Sequence, residues 1–339
     1  MTKKSYSTNL PKKYSGWIIL LIVLLSFSLL SPIIITGSKF LYYFPDYAER
    51  IATIIGIMNP FIAIAAVIVT YLAFKMQLDA NEKIFENSRR MQFERHFYEM
   101  LKIHCDNVRN LHAESSYTPL ESEHPIQKGA EGREYFSSLL EEFNLIYSKI
   151  YESEKKKDIF NKAYRTFFFG INSTANELKK KATETIRSFT FQNNNTLVWE
   201  DHPKLVPIKD SLFTGRIDLL VPYYRHLFLI VKTVVQADTN LFSYDEKRQF
   251  LRILRAQLSS AEQTLLYYNW KSGCGEQWEE DSSKPGGNHF FTDYRMLHNI
   301  IPKDCRVFCS DEILQSLLEK NPNYMKINDK DTLFELIKS

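Results

Sequence analysis

The chain has 339 residues, of which 44% are apolar and 24% charged, and its formal net charge is +3. This is the balance of an ordinary globular protein with a membrane segment added. The first 75 residues contain seven basic and two acidic residues, which leaves 36 basic and 38 acidic residues for the rest. Because a domain that binds nucleic acid is usually basic, this balance argues against nucleic-acid partners.

Two uncharged apolar stretches, residues 17–36 and 51–74, dominate the N-terminal region. As helices they would measure about 30 and 36 Å, against a hydrocarbon core of ~30 Å. We therefore predict a tail at residues 1–16, transmembrane helices at 17–37 and 51–74, and an extracytoplasmic connection at 38–50. The first stretch also has the basic flank of a signal peptide, but its apolar run is longer than such peptides use.

Basic residues predict the orientation of this helical hairpin. Four lysines precede the first stretch and five basic residues follow the second, whereas the connection carries two of each sign. Positive residues stay on the cytoplasmic side, so we expect both termini and the domain at residues 75–339 to be cytoplasmic.

The remaining chain has helical periodicity almost throughout. Apolar residues recur at three- and four-residue steps over residues 93–111, which predicts that the second helix continues to residue 112. This stripe would pack within the domain, with a coiled coil between chains as the alternative. We expect a loop at 113–132, helices at 133–157 and within 160–190, a buried central helix at 211–235, and a helical stretch at 244–270. An exposed loop at 271–289 and short helices at 290–300, 311–320 and 330–338 complete the prediction.

The predicted fold class is all-α, an N-terminal two-helix transmembrane hairpin followed by a cytoplasmic helical bundle. Within 244–270, Ser259 and Glu262 have the spacing of a capping box, which predicts that a helix begins again there.

Motifs for common catalytic chemistry are absent from the sequence. It contains no phosphate-binding glycine loop, no Gly-x-Ser-x-Gly and no His-Glu-x-x-His. Cys305 and Cys309 with His289 and His298 could be proposed as zinc ligands, but two helical cysteines have the same spacing. We expect no metal and no cofactor, and the sequence favours a protein without conventional catalysis.

One catalytic alternative stays open. Arg90 and His96 have the Arg-x(4–6)-His spacing of the HEPN class of helical ribonucleases, although a chain of this composition contains about one such match by chance. In this alternative the protein is a membrane-tethered HEPN-like ribonuclease toxin, with these two residues catalytic. A non-catalytic membrane adaptor is the third hypothesis.

Four segments carry a resemblance to a known family. They are FERHFYEMLKIHCDNVRNL at 93–111, GREYF at 132–136, YYRHLF at 223–228 and YDEKRQFLRILRAQLSSAEQTLLYYN at 244–269. In this order and spacing, after a two-helix hairpin, they resemble phage abortive-infection proteins of the AbiC type over residues 15–320.

The resemblance implies a bacterial inner-membrane protein that spans the bilayer more than once and limits phage multiplication, as an effector or a sensor. Its partners would be the lipid bilayer, with a homo-oligomer and a phage-encoded trigger protein left open. The family gives no catalytic residues. The family-motif positions in this chain are Gly132, Arg133, Phe136, Tyr224, Arg225, His226, Gln257, Ser259, Glu262 and Asn269.

A physical argument singles out Arg225 among these positions. It lies with His226 on a helix that is otherwise apolar, and a buried charge needs a partner. We therefore expect Arg225 to pair with an acid or with several backbone carbonyls. Glu262 is the candidate acid if the two helices pack antiparallel, and the pair would either fix the helix register or form part of a ligand site or switch.

Overall fold

The computed structural model describes residues 15–36, 47–117, 126–153, 159–170, 215–301, 305–324 and Leu333. These residues are mostly helical, in agreement with the predicted all-α class. The helices are α1 (Ser15–Thr36), α2 (Tyr47–Arg109), α3 (Arg133–Ser153), α4 (Ile159–Phe169), α5 (Ile217–Val235), α6 (Tyr244–Arg255), α7 (Ser260–Lys271) and α8 (Ser310–Lys320). The predicted helices within 170–190 and at 330–338 lie outside the described residues.

The chain divides into two units, Met1–Gln92 and Phe93–Ser339. In the first unit, Ile68 and Leu72 of α2 pack against Ile18, Leu21 and Leu24 of α1. Trp17 contacts Tyr71 at 5.5 Å between ring centroids, and Phe27 contacts Phe61 at 5.1 Å. Because these pairs run in opposite directions along the two helices, α1 and α2 are antiparallel. By length and composition, one described helix, Ile51–Arg109, could cross a membrane, and Ser15–Ser28 is a shorter apolar stretch.

The second unit has one hydrophobic core, to which the last turns of α2 contribute. Phe97, Leu101 and Val108 are buried, and Phe93 packs on Phe242 at 4.6 Å. The prediction that the apolar stripe at 93–111 packs within the domain is therefore confirmed.

The central helix of this core is α7. Every residue from 261 to 270 is buried, including Gln263, Thr264 and Asn269. The prediction favoured α5, which buries Leu227 and Ile230 but leaves Arg225 and Leu229 exposed. The apolar composition of α5 predicted its burial correctly. The central position of α7 was not predicted, because α7 contains polar residues that are typical of a surface helix.

Three predicted elements are wrong. The stretch at 271–289 was expected to be an exposed loop, but Glu276–Trp278 is a 3-10 helix, and Trp278 and Glu279 are buried. The polar stretch at 113–132 was expected to be a loop, but His112–Tyr117 (β1) and Ile126–Glu131 (β2) pair as an antiparallel hairpin, with His112 opposite Glu131. The expected helix at 290–300 is a series of turns instead. There the Glu279 carboxylate accepts the backbone N–H groups of Phe291 and Thr292, and Arg295 has a φ of 59°, which a helix does not allow.

The end of α4 and the start of α5 meet backbone to backbone. Arg216 donates its N–H to the carbonyl of Phe168 at 2.9 Å. Gly215 has a φ of +97°, and a Cβ added there would lie 2.8 Å from the nitrogen of Gly170. Only glycine fits this approach. Arg216 then pairs with Glu142 of α3 at 2.7 Å, and both side chains are buried.

Candidate functional site

The predicted capping box at the start of α7 is confirmed. Ser259 donates its N–H to Glu262 Oε2 at 2.6 Å, and the N–H of Glu262 donates to Ser259 Oγ at 3.2 Å. The other carboxylate oxygen of Glu262 accepts the hydroxyl of Tyr223, on α5, at 2.8 Å. Glu262 is only 1% exposed, so this side chain fixes α5 against the first turn of α7 from inside the core.

The predicted pairing of Arg225 with Glu262 is wrong. Tyr223 and Arg225 are two residues apart, which turns them about 200° from each other around the helix axis. Since Tyr223 faces Glu262, Arg225 faces solvent, where it is exposed. The charge of Arg225 is therefore not buried, and the argument that it needs an internal partner does not apply.

Two histidines stack beside Tyr223. The rings of His104 and His226 are 5.7 Å apart and inclined by 16°, and His104 lies 5.2 Å from the Tyr223 ring. Burial, together with the nearby His226 and Arg133, lowers the pKa of His104 from 6.5 to about 4. Burial also lowers the pKa of His226. His104 Nε2 and His226 Nδ1 are buried and have no hydrogen-bond partner among the residues that the structure describes, which is costly for polar atoms in a core.

Arg133 lies near His104 and contacts Gln257. The guanidinium of Arg133, in the first turn of α3, donates to Gln257 Oε1 at 3.2 Å. Gly132 has a φ of +57° at the junction of β2 and α3, a conformation that glycine adopts without strain. One turn into α3, Phe136 packs on Tyr223 at 4.7 Å.

We call six residues the polar cluster: His104, Arg133, Tyr223, His226, Gln257 and Glu262. The structure thus brings four of the ten family-motif positions into one cluster, supported by Gly132, Phe136 and Ser259. His104 and Tyr223 were not predicted as site residues. The spacing of Tyr223 and His226, three residues apart on one helix, was the available signal, because it places both on one face.

Tyr224 and Asn269, the remaining buried family-motif positions, lie at a second place along α7. Asn269 donates its side-chain N–H to the hydroxyl of Tyr164 at 2.9 Å. A Cβ at Gly275 would fall 2.2 Å from Asn269 Oδ1, so glycine is required there. Burial raises the pKa values of Tyr164 and Tyr224 well above the usual range, and the hydroxyls of these two tyrosines interact with each other.

The ribonuclease candidates are both on α2 but belong to different units. Arg90 is half-buried in the first unit, and His96 is exposed in the second. Among the residues that the structure describes, no three His, Cys, Asp or Glu side chains are grouped as metal ligands. Cys305 is buried and Cys309 is exposed at the start of α8.

A separate cleft of about 370 Å³ lies between the end of α7 and α8. Trp270 forms part of its wall, and its rim carries charges of both signs, among them Lys271, Glu276, Lys284 and Glu319. This balance of charge selects no ligand class.

Residues 215–305 match the model of a family described as "putative phage abortive infection protein". The match begins at the turn before α5 and includes α5, α6 and α7, and thus four of the six residues of the polar cluster. The resemblance drawn from the sequence is confirmed over this region. No curated protein and no solved structure matches the chain.

Proposed function

We propose that this chain is a membrane-anchored phage abortive-infection protein that limits phage multiplication as an effector or sensor, without conventional catalysis. The single observation that carries the proposal is the family match over residues 215–305.

Exposure of apolar side chains supports the membrane anchor. Ile19 on α1 and Val67 and Phe74 on α2 are each more than 60% exposed, although a soluble core helix would bury such residues. Lipid is the solvent in which this surface is stable. With the distribution of basic residues, this favours a transmembrane hairpin in the inner membrane of a bacterium, with both termini cytoplasmic.

The polar cluster is our proposal for the part that responds to infection. Buried polar atoms without partners raise the energy of the state that contains them, by roughly 1–3 kcal/mol each. A trigger, such as a phage-encoded protein, that rearranges α5 and α7 would allow His104 and His226 to form hydrogen bonds. The free energy gained from these hydrogen bonds would favour the rearranged state when the trigger binds.

Catalysis by His104 is disfavoured by access. His104 is 2% exposed and cannot reach a macromolecular substrate. A general acid or base must come within hydrogen-bond distance of the reacting group.

The test is the plating efficiency of a phage panel on bacteria with and without the chain. We expect fewer plaques for some phages. Arg133→Gln should weaken protection because Arg133 is exposed at the edge of the polar cluster, whereas Arg252→Gln, an exposed arginine on α6, serves as the matched control. Both variants should accumulate equally in the membrane fraction.

If no phage is restricted, the family match means shared architecture only, and the adaptor hypothesis moves ahead. Equal protection by both arginine variants would remove the polar cluster from the proposal. Cleavage of ribosomal or transfer RNA after infection would instead support the ribonuclease with Arg90 and His96, and loss of membrane potential before lysis would support a membrane effector.

A further inference from the structure

Small and polar residues form one side of α2 within its apolar stretch. Six exposed residues follow one another at alternating steps of four and three positions, which is heptad spacing; they are Ala52, Gly56, Asn59, Ala63, Ala66 and Thr70. At 100° per residue they fall within about 80° of the helix circumference. We call these six residues the small-residue face. Small residues at such positions let two membrane helices approach each other closely.

The other helix of the hairpin packs on the opposite side of α2. Its contacts involve Phe61, Ile68, Tyr71 and Leu72, which lie about 100–180° round the helix from the centre of the small-residue face. Outside residues 17–36 and 51–74, no uncharged segment of the sequence is long enough to cross a membrane, which takes about 18–20 residues. In hydrocarbon, therefore, this chain has no further segment of its own to cover the face.

Asn59 places an amide in this hydrocarbon. It lies about 12 Å along the helix axis from Ile51 and about 22 Å from Phe74. The hydroxyls of Thr53 and Thr70 donate to carbonyls of their own helix at 2.8 and 2.9 Å, but the Asn59 amide has no hydrogen bond to any described residue. Since lipid tails offer no hydrogen bond, an unpaired amide there is costly, and its partner has to come from another chain.

A matching acceptor lies one turn earlier on the same face. Pro60 has no N–H, so the carbonyl of Gly56 lacks the donor that a helix normally supplies four residues later. Gly56 has no side chain to shield this carbonyl, and a Cβ added there would meet no described atom within 4 Å. The face thus presents an amide donor and a backbone acceptor side by side, and this is the observation that points to a partner.

A second copy of α2 supplies both complementary groups at the same depth. Copies inserted with the same orientation are parallel, and a two-fold axis along the membrane normal makes each contact occur twice. In such a pair the Asn59 side chain inclines toward the helix N-terminus, whereas the Gly56 carbonyl points toward the C-terminus, so the two groups meet between the helices.

We propose that two copies of this chain pair in parallel through the small-residue face, with Asn59 of each copy donating to the Gly56 carbonyl of the other. Small residues bring the backbones close enough for this contact, and the hydrogen bonds set the register. This inference rests on the membrane crossing in the proposed function.

Disulfide cross-linking in membranes of cells that express two differently tagged full-length copies tests the pairing. With copper phenanthroline as oxidant, Ala63→Cys on the small-residue face should form a linked dimer that contains both tags. Ile64→Cys, an exposed neighbour about 100° round the helix, is the matched control. It should give no more dimer than the unsubstituted chain, whose four cysteines all lie outside α2 residues 51–74. Equal yields at the two positions, or no dimer from Ala63→Cys, overturns the proposal.

Substitutions within the face give the second readout. Asn59→Leu should lower co-purification of the two tagged copies roughly tenfold, because two symmetry-related hydrogen bonds are lost. Gly56→Leu should also lower it, by holding the helices apart. Gly16→Leu changes another glycine that has no described neighbour within 4 Å, and it should leave co-purification unchanged. Unchanged co-purification of both Asn59→Leu and Gly56→Leu contradicts the proposal.

Membrane fractionation and phage plating separate this inference from the proposed function. Chain that is found in the membrane without the Ala63→Cys cross-link refutes only the pairing. Chain that is found in the soluble fraction refutes the membrane anchor and the pairing together. A cross-linked pair that restricts no phage refutes the proposed function and leaves the pairing supported.

Discussion

Two buried glutamates in the second unit, Glu262 and Glu279, are each 1% exposed but have different surroundings. Glu279 accepts hydrogen bonds from the N–H groups of Phe291 and Thr292 and from the Thr292 hydroxyl, and His289 Nδ1 lies 3.4 Å from its Oε1. Asn321 in turn donates to that hydroxyl at 2.8 Å. Glu262 accepts from Ser259 and Tyr223, but the histidines beside Tyr223 contain nitrogens without partners.

This difference supports the proposal that the polar cluster responds to infection, whereas the network of Glu279 stabilises the fold. Around Glu279, hydrogen bonds fix a stretch of turns that has no regular secondary structure, so losing the carboxylate should damage the fold. Around Glu262, unpartnered atoms raise the energy of the folded state, and such costs persist where function uses them. We therefore expect substitutions near Glu279 to act on stability and substitutions in the polar cluster to act more on protection.

The largest effect is expected for Glu279→Ala. Three donors lose their acceptor inside the core, and each costs roughly 1–3 kcal/mol, so unfolding should become easier by about 4 kcal/mol in total. Thermal unfolding of the detergent-solubilised chain, followed by circular dichroism, measures this. Glu276→Ala, an exposed acid nearby, is the control and should change stability by less than about 0.5 kcal/mol. A Glu279→Ala variant as stable as Glu276→Ala would show that the hydrogen bonds of Glu279 do not stabilise the fold.

The next effect is a pH dependence due to His104. Its folded pKa of about 4 lies below 6.5, so between these values the unfolded chain binds the proton more readily. The stability is complete above pH 6.5 and is lost as the pH falls toward 4. From pH 7 to 5 we expect a loss of about 2 kcal/mol, at 1.36 kcal/mol per pH unit.

His104→Leu should lack this part of the pH dependence, because it removes the titrating group and keeps the site apolar. Unfolding curves of both proteins at pH 7 and pH 5 provide the comparison. Identical pH dependence in the two proteins would show that His104 is not buried in its neutral form.

A smaller effect separates two adjacent tyrosines. Tyr223→Phe removes the hydroxyl that donates to Glu262, which should cost about 1–2 kcal/mol because a buried carboxylate loses a donor. Tyr224→Phe removes a hydroxyl whose partner is the neutral hydroxyl of Tyr164, so it should cost less, about 0.5–1 kcal/mol. Denaturant unfolding of the two variants tests this order, and the reverse order would mean that the hydrogen bonds are assigned to the wrong tyrosine.

Local patterns in the sequence predicted much of the fold. The stripe at 93–111 and the Ser259–Glu262 box depend on residues close in sequence, and both are confirmed. The hairpin of β1 and β2 could not be predicted from alternation, because its strands, HAESSY and IQKGAE, are mostly polar and show no apolar residue at every second position. The turns at 290–300 follow from Glu279, a residue more than ten positions away whose burial no local pattern indicates.

The candidate site was predicted only in part. Gln257, Ser259 and Glu262 are near each other in sequence, whereas His104 and His226 are joined only by the packing of α2 on α5. The predicted burial of Arg225 was wrong, because apolar neighbours in the sequence do not define which side of a helix is buried. The phase of α5, set by Tyr223 and Leu227, decides that.

The backbones of Gly170 and Gly215 are in contact, so the 44 residues between them begin and end at neighbouring positions in the fold. The chain departs after α4 and returns to the same point before α5, where the family match begins. Closing a loop costs free energy that grows only slowly with its length. A longer or shorter segment between Gly170 and Gly215 should therefore change the free energy of folding little, as long as the two glycines keep their backbone contact.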